Sequence, residues 1–529
     1  MQAPCINIYA TLLPGITNVT DRARYYSFYT WFVWAFDQLR GVSYKEDFRR
    51  LIRRADCLFC LIAERHCSIT DGDDRRHSIS CVGRNKLSPE IAEIAAGEIL
   101  SLSEFAASDD DAPKRYFKNK LGGLGQYYFG TLSALELLGG ATRTGVKYTV
   151  ERGAPLAEAF DAVVKRKLFF STLEDDLVDA KTLDKLAGFC PCNLPSSDLE
   201  LEYLLDLFFD RRAEFGIKGI ARRSSLALIL DLARLYADAG WTEFTVADVL
   251  ACCYSGAIPD DIGWKVAKSL AVQRARWAVY QRNELLSVAT QGVFNYALDC
   301  LARSGQSFQS SSAFAAWMIT QREVKKALKR WKSREFLGAL EEESSHLPTI
   351  SNWEQEDHEI QLARRIVYPN PDEPLVERLL SSIRLLLALV ARDDATDDAY
   401  GNVLLPEGYL LDYPINLRSL RSKANGSWAD TTIEEWMIDL VTHWGIDTHI
   451  SVALRKLRRE SLDTFRVRPT ERGLTVDVDR IPVPVNTQPR LGTTLQILRD
   501  LGLILRDEDG SLVGLSDLGQ KVLDDCHGT

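Results

Sequence analysis

The chain has 529 residues, 46% of them hydrophobic and 26% charged, with a formal net charge of −10. That length exceeds one ordinary core and implies several domains, and the composition excludes general disorder. The acidic balance excludes a protein that coats nucleic acid everywhere, while leaving room for a local basic patch.

Eleven cysteines, including the close pairs Cys190/Cys192 and Cys252/Cys253, point to reduced thiols and a cytoplasmic setting. The opening residues have no basic start followed by an apolar run. Apolar windows elsewhere are interrupted by charge, so neither a signal peptide nor a membrane segment is expected.

In chain order, the turn at Leu13-Pro14-Gly15 leads to a helix for which Thr20 or Asp21 is a candidate cap. Tyr25, Tyr26, Phe28, Tyr29, Trp31, Phe32, Trp34 and Phe36 set aromatics nearly all round it. Such a helix must be enclosed, and its leading arginines, Arg22 and Arg24, are expected to pair with carboxylates rather than with phosphate. The next helix carries Arg49 to Arg54, rich in arginine, then Cys57, Cys60, His66 and Cys67, with His77 and Cys81 beyond. Cys57 and Cys60 lie in an apolar helical run, where cysteine behaves as a small hydrophobe, so core packing is the expectation and no metal site is assigned. Asp109 to Asp111 read as a boundary. Gly122, Gly123 and Gly125 lack the Gly-Lys-Ser/Thr of a phosphate loop.

Residues 166–345 read as successive helices, with Trp264 to Leu301 long enough for a spine and Cys190-Pro191-Cys192 as a turn. Arg322, Lys325, Lys326, Lys329, Arg330, Lys332 and Arg334 make the most basic window, and Trp331 beside them suggests base stacking. A further helix precedes the polar loop bearing Asp393, Asp394, Asp397 and Asp398, which lacks the Gly and Glu positions of a calcium loop. The fold class expected is mainly α, a multi-domain helical array in five segments: 1–110, 111–165, 166–345, 346–430 and 431–529.

Two stretches, 131–157 and 490–523, each read as leucines at helical spacing, a glycine stop, a short hairpin and a glycine-led helix. Setting Gly139 on Gly502 matches Thr131 with Thr494, Leu132 with Leu495, Leu135 with Leu498 and Leu138 with Leu501. A turn three residues shorter in the first copy then places Gly153 on Gly519. Both resemble the last helix, wing and closing helix of winged-helix domains. The resemblance implies two winged-helix-like modules, with Arg143 and Lys147 in a basic first wing and Arg490, Thr493, Thr494, Gln496 and Arg499 as residue types that reach phosphates and bases. The second wing, Arg506 to Asp509, is acidic.

No nucleophile elbow, zinc-protease helix or phosphate loop is present, so no catalytic residue, cofactor or metal is assigned. The leading expectation is a DNA-binding subunit of a bacterial multi-protein complex, of phage-defence or mobile-element type, with protein partners encoded nearby. A helical adaptor whose winged helices bind protein, and a metal-dependent nuclease with a scattered site, are the alternatives.

Overall fold

The computed structural model describes residues 2–40, 45–70, 77–107, 112–140, 145–392, 413–507 and 510–528. The boundary at Asp109 to Asp111, Arg143, the four aspartates from Asp393 to Asp398, and the wing residues Glu508 and Asp509 lie outside them. The fold is mainly α: among the described residues the strands form only two-stranded antiparallel sheets. No helix there is long and apolar enough to cross a membrane. The chain forms two compact units, one of Thr11–Thr245 with Gln488–Thr529, the other of Met1–Ala10 with Val246–Thr487. The segments 166–345 and 431–529 therefore each contribute to both.

The first unit is built round the helix Arg24–Arg40. Tyr25, Tyr26, Phe28, Tyr29, Trp31, Phe32 and Phe36 are all at most 2% exposed, while Trp34 is half-buried and the C-terminal end of the helix, at Gln38 and Leu39, is open to water. Rings from other segments fill the gaps: Phe59 lies 4.4 Å from Phe28, Tyr128 5.1 Å from Tyr25, Phe208 5.0 Å from Tyr26 and Phe189 5.2 Å from Trp31. Each fully buried ring contributes roughly 1.5–3 kcal/mol. Together they offset the several kcal/mol per ion that burial of Arg22 and Arg24 costs. The polar entry to this helix is closed from far along the chain, because Asp500 Oδ2 accepts the N–H of Ala23 at 3.0 Å. Thr20 and Asp21 turn elsewhere, to the Thr17 N–H and the Thr493 hydroxyl.

Both predicted helix–hairpin–helix stretches are present in this unit: Phe129–Ala134, Leu138–Gly139, Lys147–Tyr148 and Gly153–Asp161, then Leu491–Asp500, Ile504–Arg506, Leu512–Leu515 and Asp517–His527. Their register differs from the sequence alignment. The first helix ends with Glu136 N–H to Ser133 O and Leu137 N–H to Leu132 O; the second ends with Gly502 N–H to Arg499 O and Leu503 N–H to Leu498 O. Both are Schellman stops with the turning residue in the left-handed region, Glu136 at φ 56° and Gly502 at φ 70°. Glu136 thus corresponds to Gly502 and Leu132 to Leu498, one helical turn away from the glycine-on-glycine match, and no three-residue difference in the turn is needed. A hydroxyl then clamps each copy: Thr149 donates to Glu136 O and accepts from Gly153 N–H, while Ser516 donates to Gly502 O and accepts from Gly519 N–H.

The second unit has the 33-residue helix Ala271–Arg303 as its spine, with Leu375–Ala391 packed beside it. His449 stacks on Phe294 at 5.0 Å and its Nε2 accepts the N–H of Arg466 at 2.9 Å. Burial, reinforced by the Arg466 charge, lowers its pKa to about 4.

A Cβ on Gly153 would stand 2.3 Å from Leu137 O, and one on Gly519 2.2 Å from Leu503 O, whereas one on Gly139 meets nothing nearer than 4.0 Å. Gly153→Ala and Gly519→Ala are each expected to cost about 1–3 kcal/mol in urea unfolding, with Gly139→Ala well below that. The folded state needs neutral His449, so below pH 6.5 the unfolded chain gains a proton that the folded chain refuses until pH falls to about 4. Stability of the second unit should fall through that window. His449→Gln should flatten the fall, measured by denaturant unfolding at pH 7.0 and about pH 4.5.

Candidate functional site

The basic window in the second unit forms a helix only over Arg322–Leu328, which Lys329 closes. Val324, Leu328 and Trp331 fall on its inner stripe and are buried. Trp331, at 2% exposure, has no ring face to offer a base, which corrects the stacking expected of it. Arg322, Lys325, Lys326 and Lys329 occupy the outer stripe, exposed, with Lys332 beyond. Arg330 lies 3.8 Å from buried Glu343, and Arg334 pairs with Glu434 at 3.2 Å. Among the described residues, Arg322, Lys325, Lys326, Lys329 and Lys332 enter no ion pair.

The second helix–hairpin–helix spends its polar groups inside its own unit. Thr493 donates to Asp21 at 2.5 Å and Thr494 to Arg490 O at 2.8 Å, both buried. Gln496 donates to Asp500, and Arg490 to Leu13 O. Arg499 is half-buried. Thr493 and Thr494 are consequently not positioned to reach base edges, because their hydroxyls stitch the helix to the rest of the unit. Arg506 of its hairpin likewise donates to Gly510 O and Phe244 O. In the first hairpin Lys147 is exposed.

Two arrangements escaped the sequence reading. One is a cleft of about 740 Å³ where Arg49, Arg53 and Arg54 meet Arg115, Lys118 and Lys120. Arg53 donates to the carbonyls of Ala106 and Lys120, so its charge is held without a carboxylate in those bonds. Burial and nearby Arg115 lower its pKa. The runs Arg49 to Arg54 and Lys118 to Lys120 were the available signal.

The other is a cluster of His66, His77, Cys190 and Cys192, whose four candidate donor atoms lie within 4.8 Å of one another. His66 stands near the end of the helix Lys45–Thr70, His77 follows in a turn, and both thiols flank Pro191 at the start of the 3-10 turn Pro191–Ser196. His66 Nδ1 is 3.1 Å from His77 Nδ1 and 3.3 Å from Cys192 Sγ. Cys190 Sγ is 3.3 Å from His77 Nδ1 and 3.4 Å from Cys192 Sγ. The bond to Cys190, with His77 and His66 alongside, pulls the Cys192 thiol down to about 4, while burial pushes Cys190 up.

Both arginines ahead of the aromatic helix reach this cluster. Arg22 pairs with Asp500 at 2.8 Å and donates to His77 O and Ile79 O; burial works against its charge, but Asp500 together with Cys81 and Cys190 outweighs burial and its pKa is raised. Arg24 pairs with Glu200 at 3.2 Å and donates to Cys190 O. Cys57 and Cys60 are buried in the core, apart from these four. Removing one partner of a buried pair strands the other charge, so Glu200→Gln is expected to destabilise this unit by about 3–5 kcal/mol in urea unfolding.

Compared with known proteins, the chain matches no protein-family model, no curated protein and no solved structure.

Proposed function

We propose that the chain is a nucleic-acid-binding subunit of a larger assembly, holding the phosphate backbone of DNA through Lys325, Lys326, Lys329 and Lys332. The observation that carries this reading is the exposed outer stripe of the Arg322–Leu328 helix, where, among the described residues, Lys325, Lys326 and Lys329 enter no ion pair, in a chain of net charge −10. Unpaired local charge is what phosphate contact requires, and such contacts fix position rather than sequence. The cleft of Arg49, Arg53, Arg115, Lys118 and Lys120, which Glu46 and Asp47 also line and where Glu46 pairs with Arg49 at 2.6 Å, is a second basic surface, partly neutralised, in the other unit. A bacterial phage-defence or mobile-element complex remains the context in which such a subunit would serve.

A second reading is a helical adaptor. It is favoured by the winged-helix-like modules, whose second copy commits Thr493, Thr494 and Gln496 to its own unit and so fits a packing role better than groove reading.

Labelled duplex DNA in an anisotropy titration separates the two. Binding should weaken with salt, and the Lys325, Lys326, Lys329 and Lys332 to Glu variant should bind less tightly, with a log–log salt slope shallower by about 3–4. Absence of binding at low salt sinks the DNA reading. Co-purification with the product of an adjacent gene, undiminished by nuclease, supports the adaptor.

A further inference from the structure

Four soft or borderline donors converge in the first unit from three separate stretches of chain, with Cys192 and His66 126 positions apart. Zinc prefers four ligands in a tetrahedron, with bonds near 2.3 Å to sulfur and 2.0–2.1 Å to imidazole, so neighbouring ligand atoms should stand roughly 3.3–3.8 Å apart. Three of the four distances between adjacent donors, 3.3–3.4 Å, sit at the lower edge of that range, the His66–His77 distance of 3.1 Å falls just below it, and all four donor atoms lie within 4.8 Å of one another. Two imidazole nitrogens facing each other at 3.1 Å can form a hydrogen bond only if one is protonated; a shared cation uses the lone pairs of both.

The surroundings agree. His77 turns Nδ1 inward and places Nε2 3.4 Å from the Thr70 hydroxyl, which can take its proton and select the tautomer with a free Nδ1. Arg22 holds the carbonyl of His77 and Arg24 that of Cys190, so the backbones bearing two of the donors are fixed by buried charge. The Cys-x-Cys spacing is tighter than the usual zinc knuckle, and Pro191 rigidifies it.

We infer that His66, His77, Cys190 and Cys192 form a closed, four-ligand Zn²⁺ site that ties the end of the Lys45–Thr70 helix to the turns at His77 and Pro191. With four protein ligands it has no open position for substrate, so its role is structural. Each thiol loses its proton to solvent as its sulfur joins the metal, and the imidazoles enter neutral. Cys57, Cys60 and Cys81 are outside the ligand set.

The test is the metal content of the full chain, purified without chelator or added zinc and measured by mass spectrometry. About one zinc per chain is expected, falling below about a tenth in Cys190→Ser/Cys192→Ser and staying at one in Cys252→Ala. Because the double variant can lose its fold, wild-type protein is also stripped under reducing conditions and refilled with Co²⁺. Visible bands of tetrahedral cobalt with thiolate charge transfer support the site. Failure of reduced wild-type protein to hold either Zn²⁺ or Co²⁺ overturns it, as does metal that persists undiminished in a folded double variant. A Cys190–Cys192 disulfide found in place of metal in protein prepared under reducing conditions also overturns it.

Discussion

A buried positive charge is costly unless it is paired or hydrogen-bonded where it lies, and the first unit meets this demand with a carboxylate twice at the mouth of one helix. Arg22 and Arg24 enter the interior at the head of the aromatic segment, and each requires a carboxylate that local sequence does not supply. Asp500 and Glu200 answer, one from near the end of the chain and one from its middle. The two arginines also donate to backbone carbonyls, Arg22 to those of His77 and Ile79 and Arg24 to that of Cys190. The charge requirement therefore determines which distant stretches meet, and the aromatic rings provide the burial that makes the arrangement affordable.

The same unit contains one small device twice. A Schellman stop, a two-stranded turn and a hydroxyl that bridges the stop to a glycine recur with matching bonds although few residues are identical. What recurs is a set of backbone constraints: a residue that accepts left-handed geometry, a hydroxyl of the right reach, and a glycine where a carbonyl passes within van der Waals distance. The outward residues are free to differ, and they do: Lys147 is exposed on one hairpin, while Arg506 on the other folds back onto carbonyls.

Much of the fold was legible in the sequence. Helical periodicity marked the spine helix, the aromatic run required an enclosed helix, and both helix–hairpin–helix stretches were recognisable. The register of the repeat was not, because leucines one turn apart are interchangeable to an aligner and the residue at the first left-handed stop is Glu136 rather than glycine. Trp331 looked like a stacking platform beside lysines, yet its spacing from Val324 and Leu328 already placed it on the inner stripe. The His/Cys cluster stayed hidden for a different reason. Its histidines and thiols read separately as a helix end and a turn, and only tertiary folding, driven by the pairing of Arg24 with Glu200, brings Cys190 to His77.

The interleaving of the two units has a consequence for biosynthesis. The first unit opens at Thr11 but closes only with Gln488–Thr529. A ribosome emits residues in order, so Arg22 emerges long before Asp500 exists, and the aromatic helix must wait with one of its buried charges unanswered. The segment between, Val246–Thr487, can collapse on its own spine in the meantime. Completion of the first unit thus waits on the synthesis of Gln488–Thr529. Until then its aromatic surface is the part of the nascent chain most in need of shelter.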